Sequence, residues 1–294
     1  MTAAACEAPQ PRHRGFWRDA AGRFSRHPRS LAAAGVLVAL VLFCLLAPPL
    51  LPYDPYEIDF SQREQLPSPA HPAGTDFFGR DLLERLALGG RASLAIAAAA
   101  LGVILVLGVG YGAFAAAFGG RVDAAMMRVL DGLLAIPRFP VIVIILVIAG
   151  LRTNELTLIL ALSITSWMVT ARLVRTELVS LRRREFVRAA HAVGARRRHV
   201  VARHLLPNAV GVVLVAALLE LPAVILNEAF VSTLGLGLNP PAATWGNIAQ
   251  DGILHGRLWE VVLPSIAIAV FAVAANLVAD GLDDALDPRR SRAR

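Results

Sequence analysis

The sequence predicts an all-α, polytopic membrane protein, and three observations carry that prediction. Apolar residues make up 56% of the chain and the mean hydropathy is +0.59, more than a soluble globular surface tolerates. Segments 31–51, 92–118, 124–150, 156–174, 208–231 and 261–282 are each apolar over the roughly 20 residues needed to cross a bilayer. Arginines crowd alternate connections between these runs, so the positive-inside rule puts both termini in the cytoplasm. The expected architecture is six transmembrane helices with a helix–turn–helix on the cytoplasmic side.

Residues 1–30 form a basic segment holding Arg12, Arg14, Arg18, Arg23, Arg26 and Arg29 directly ahead of the first run. That run ends in APPLLP without an A-x-A cleavage pattern, and Phe43 stands before Cys44 where a lipoprotein signal requires a small residue. An uncleaved first span over 31–51 is therefore expected. Cys6 and Cys44 are too few and too distant for a disulfide framework or a zinc site. Every residue in the Lys+Arg total of 29 is arginine, which excludes a Walker-A loop and its phosphate-binding lysine.

The extracytoplasmic loop 52–91 carries more acids than bases. In GTDFFGRDLLERLALGG, Asp81 followed by Glu84 reads as a capping-box start, with Leu82, Leu83 and Leu86 on one face. Gly89 and Gly90 are expected to end that helix after a short course along the outer surface. The five-helix core spans 92–284, and the prolines flanking Arg138 in IPRFP predict a break in its second span. STLGLGLNPPAATWGN reads as a glycine- and proline-punctuated loop, and 285–294 as a cytoplasmic tail.

Segment 177–207 is too long for a simple turn. Phe186, Ala189, Ala190 and Val193 fall on one helical face. Gly194 permits a sharp change of direction, and 195–206 forms a second short helix expected to stop at Pro207. Arginine here also serves topology and anionic lipid headgroups. Nucleic-acid binding lacks aromatic interleaving and a recognised module. His199 and His204 are five apart, which is not the spacing of a metal-binding helical pair.

Arg138 and Glu220 are charges within apolar runs, each roughly 20 Å along its helix from the cytoplasmic end. They are expected at similar depth, either paired with each other or separately lining a wet pathway. Asn227, seven residues after Glu220, extends the same helical face.

The run AAHAVGARRRHVVARHLLPN resembles the "EAA" loop of bacterial ABC-importer membrane subunits through Ala189, Ala190, Gly194, Leu206 and Pro207. HPAGTDFFGRDLLERLALGGRASL, SWMVTARLVRTEL, STLGLGLNPPAATWGN and DGLDDALDPR are similar to segments of the second permease subunit of dipeptide, oligopeptide and nickel importers. The resemblance implies the ABC-importer permease fold, no catalytic residues and no cofactor bound by this chain. It implies a bacterial inner-membrane complex with a second homologous permease subunit and two ABC ATPase subunits that carry ATP and Mg. An extracytoplasmic solute-binding protein completes it. Phe186, Ala189, Ala190, Gly194, Leu206 and Pro207 would couple to the ATPase. Gly74, Thr75, Asp76, Gly79, Arg80 and Asp81 would shape the outer rim near the docked binding protein. Three positions depart from the family pattern: Arg188 replaces a glutamate, Glu84 a serine and Asp283 an arginine.

Two other readings compete. A self-sufficient channel or secondary transporter would need no coupling loop. An intramembrane enzyme would draw on Asp131, Glu220 and Asn227, but no catalytic motif accompanies them.

Overall fold

Prolines and short polar side chains mark where the helices begin. In the computed structural model, which describes residues 16–51, 54, 56–150, 154–192, 194, 197–239 and 242–286, a short helix α1 (Phe16–Phe24) precedes α2 (Pro28–Leu50). Pro28 opens α2, where its missing N–H costs nothing. Asp81 caps α3 (Leu82–Phe118) by accepting from the Glu84 N–H. The broken pair α4 (Gly120–Leu134) and α5 (Arg138–Ala149) follows, then α6 (Glu155–Arg182), capped by Asn154. At the arginine-rich end of the bundle lie α7 (Glu185–Ala192) and α8 (Arg197–Val200). The chain then climbs through α9 (Leu206–Thr233), turns into α10 (Trp245–Leu254) and returns as α11 (Leu258–Leu286).

Five helices are long and apolar enough to cross a membrane, and α4 with α5 make a sixth if taken as one span bent by 78°. The bend follows from Pro137, the N-cap of α5, and Pro140 in its first turn: neither supplies an N–H to continue the α4 ladder. Helices α3 and α6 run side by side, and small residues set their distance. A Cβ on Gly108 would lie 2.8 Å from Thr170, and one on Gly112 would lie 3.0 Å from the Arg175 nitrogen. Ile96, Ala100 and Ile104 of α3, Leu158 and Leu162 of α6, Val224 and Ile225 of α9, and Phe271 and Ala275 of α11 form the main core. Large apolar side chains such as Val106, Ile148 and Leu156 face outward, as expected of surfaces that meet lipid or another apolar chain.

Three expectations are corrected. Gly89 and Gly90 do not end a short surface helix: α3 runs through both for 37 residues. Their role is close approach, since a Cβ on Gly90 would strike Cys44 Sγ and come within 2.8 Å of the Trp245 ring. The segment expected to be only a loop after the fifth span holds α10, capped by Thr244 and anchored by the fully buried Trp245. Nor does Pro207 stop the second helix of 195–206. Residues Val201–Leu205 widen into a π-turn, in which the Leu206 N–H reaches Val201 O, and the helix continues into α9 with Pro207 in its first turn. The widened turn absorbs the proline's missing donor. Val193, Arg12, Arg14 and the tail from 287 onward lie outside the described residues.

Candidate functional site

At the loop end of the bundle, Asp76 organises the GTDFFGRD turn. Its carboxylate accepts from the Phe78 and Arg80 N–H groups at 2.8 and 2.9 Å, from Arg80 Nε at 2.7 Å and from Arg85 Nη1 at 2.6 Å. Both arginines also reach Asp251 of α10, at 3.2 and 3.0 Å. Asp81, besides capping α3, lies 2.9 Å from His71 Nδ1. Thr75 accepts from the Gln65 N–H at 2.8 Å and pairs in a single bridge with Asp81. Gly74 and Gly79 hold φ of +78° and +80°, and a Cβ on Gly79 would run into Asp59 O. The Asp59 carboxyl itself is held below the usual range by hydrogen bonds from Ser61. Trp259 Nε1 donates to Ala73 O at 2.8 Å, tying the loop to the start of α11. The expected rim residues thus form a locked turn fastened to α10 and α11.

A second polar cluster lies within the apolar core. Glu228 of α9 is fully buried and accepts from Ser232 at 2.7 Å and from Ser93 of α3 at 2.9 Å. Ser93 Oγ in turn accepts from the Trp245 N–H at 3.2 Å, and Trp245 Nε1 donates to Leu86 O at 3.0 Å. Helix α10 is therefore clasped between α3 and α9. Neither Glu228 nor the α10 contacts were among the sequence candidates, though an acid in an apolar span with a serine one turn later was a usable signal.

At the opposite end, Gly194, with a φ of +85°, lies between α7 and α8. Val187 is buried with Val200, Leu205 and Leu178, while Phe186 is 42% exposed and Ala189 is exposed. Ala190 packs partly against this cluster, Leu205 lies within it, and Leu206 borders it. The protrusion thus rests on Val187 and leaves Phe186 and Ala189 uncovered. His199 and His204 meet edge to face at 6.0 Å, and no group of three or more His, Cys, Asp or Glu among the described residues is arranged to hold a metal.

Arg138 and Glu220 come together: Arg138 Nη1 lies 3.3 Å from Glu220 Oε1, with Ser166 of α6 a further hydrogen-bond partner of the glutamate. Asn227 is half-buried further along α9. Asp131 pairs with Arg172 rather than with either, so the two carboxylates invoked for an intramembrane enzyme engage different partners. Asp123 of α4 takes two nitrogens of Arg175 and fastens α4 to α6.

These features define a polytopic helical membrane protein with a polar lock at one end, a protruding helix pair at the other and a charge pair between. The chain belongs to the family described as binding-protein-dependent transport system inner membrane component, which it matches over residues 108–292. Residues 15–68 match the N-terminal TM domain of oligopeptide transport permease C. The chain is 36% identical to the oligopeptide transport system permease protein OppC of Bacillus subtilis, over 93% of this chain and 90% of the relative. It is 35% identical to the dipeptide transport system permease protein DppC of the same organism, over 94% and 87%. The Escherichia coli K12 OppC protein is 38% identical over 94% and 92%.

Proposed function

We propose that this chain is a membrane-spanning permease subunit of an ATP-driven importer for peptides or related small solutes in the bacterial inner membrane. It pairs with a second, homologous permease subunit, two ABC ATPase subunits that bind ATP and Mg, and an extracytoplasmic solute-binding protein. Both termini lie in the cytoplasm, membrane lipid surrounds the outer faces, and nucleic acid has no part. One observation carries the reading: α8 passes through the π-turn into α9 without interruption, and α9 bears both Glu220 and the Glu228 clasp on α10. A push on the protrusion is thereby delivered along one continuous helix to the far end of the bundle. Phe186 and Ala189, uncovered on this chain, supply the apolar contact for the ATPase groove. Arg188 replaces the family's glutamate, so that docking cannot rest on an acid at this position.

Co-purification with the partner chains and reconstitution into liposomes tests the reading. Loaded binding protein is expected to stimulate ATP hydrolysis and peptide uptake together, and Phe186→Asp is expected to release the ATPase subunits on size exclusion. Uptake that proceeds without ATPase chains would favour the channel or secondary-transporter reading instead.

A further inference from the structure

The geometry points to Arg138 and Glu220 as an exchangeable ion pair that selects zwitterionic substrates, each charge releasing the other to meet an opposite charge on the molecule in transit. The inference rests on the peptide-import reading and adds the chemical feature recognised inside the membrane.

Other ion pairs in the same molecule show what a fixed structural pair looks like here. Asp76 is gripped by two arginines at 2.7 and 2.6 Å, and Arg175 engages Asp123 through two nitrogens. The Arg138 contact is different: one nitrogen, one oxygen and 3.3 Å. The Arg138 and Glu220 side chains are 29% and 11% exposed, just as those of Arg175 and Asp123 are, so the difference is one of geometry: Arg138 Nε and Nη2 have no hydrogen-bond partner among the described residues. A bidentate guanidinium fork is the stronger arrangement. A fork with unused donors in an apolar span has unused capacity for a carboxylate.

The backbone adds to this. Arg138 is the first residue of α5, where the third span breaks by 78°, and no side chain caps that helix start. The open end of a broken span presents unpaired N–H groups and the positive end of its dipole. Broken helices in transporters use such ends toward anionic groups. Glu220, on α9, is the carboxylate that meets the Arg138 side chain at this break.

Exchange gives a physical basis for selection. A substrate with one free carboxylate and one free ammonium replaces a single ion pair by two, leaving no charge stranded. A substrate with either terminus blocked separates the resident pair and leaves one partner alone in the membrane, which is strongly unfavourable.

The test uses the whole complex in liposomes, with binding protein loaded to equal occupancy by trialanine, its C-terminal amide or its N-acetyl derivative. Wild type is expected to move trialanine roughly tenfold faster than either blocked form, the scale of one lost charge-assisted hydrogen bond. Glu220→Gln is expected to lose discrimination against the N-acetyl form and keep it against the amide. Arg138→Gln/Glu220→Gln, which strands neither charge, is expected to bring both ratios toward unity. Wild-type ratios near unity overturn the inference while leaving peptide import intact, as does a double variant whose ratios are unchanged. A wild-type complex that moves no peptide at all overturns the import reading and this inference with it. The wild-type ratios need no variant and decide the matter where a variant fails to fold.

Discussion

Asp76 illustrates what a single side chain contributes and how far it can be read in advance. Its position beside Arg80 and Asp81 is visible in the sequence, because short polar residues before an apolar helix are ordinary capping and turn residues. Its stronger partners are not, since Arg85 looks like one more residue of an amphipathic helix and Asp251 lies in another segment entirely. The same distance hides Glu228, whose serine on α3 is 135 residues away. Asp76→Ala would leave two largely buried arginines sharing Asp251. Breaking such a network costs about 3–5 kcal/mol, and the retained Asp251 contact puts this case at the lower end. The expected outcome is a lower thermal unfolding midpoint for the purified complex. Asp76→Asn, which still accepts from the backbone, should fall between. An unchanged midpoint in the alanine variant would show that Asp251 alone holds the turn.

At the scale of the element, the spans were legible because length and apolar content are enough to find them. What those signals cannot resolve is a glycine's purpose or a proline's accommodation. Gly89 and Gly90 read as a stop because their neighbours, Thr244 and Ile248 for the first and Trp245 for the second, are brought in by the tertiary fold. Pro207 read as a terminator because the π-turn before it leaves no sequence mark. Gly194 was expected to turn the chain between two short amphipathic patterns, and its φ of +85° is a conformation that glycine favours. Nothing lies within 4 Å of a Cβ built there, so substitution acts through the backbone alone. At φ +85° a side chain costs about 1–2 kcal/mol, and a β-branched one is worse placed. Gly194→Val is therefore expected to re-aim α7 and abolish binding-protein-stimulated ATP hydrolysis while the permease still inserts. Gly194→Asn, which tolerates this conformation, should keep most of the stimulation. Full stimulation in the valine variant would count against α7 as the ATPase contact.

Across the whole molecule, the run lengths gave the spans, but not how the helices close on one another. That closure depends on small contacts. Helix α2 packs against α3 and α11, and Gly281 of α11 sits directly against Ser30. Arg23 Nε donates to Ala285 O at 2.7 Å, so α1 also rests on the last turn of α11. Gly281→Leu is expected to force these helices apart. Overpacking of this kind typically costs about 1–3 kcal/mol, measurable as reduced yield and a lower unfolding midpoint. A Gly281→Leu protein of normal stability would mean that α2 adjusts freely on the surface of α11.

The contact between α1, α2 and α11 has a consequence for how the protein is made. Helices α1 and α2 take α11 as a neighbour although α3 to α10 are synthesised between them. Until α11 emerges, the Ala285 carbonyl that Arg23 engages does not yet exist, and the face of α2 that meets Gly281 lacks that neighbour. Closure of α1 and α2 onto α11 must therefore wait until residues 281 and 285 have been made.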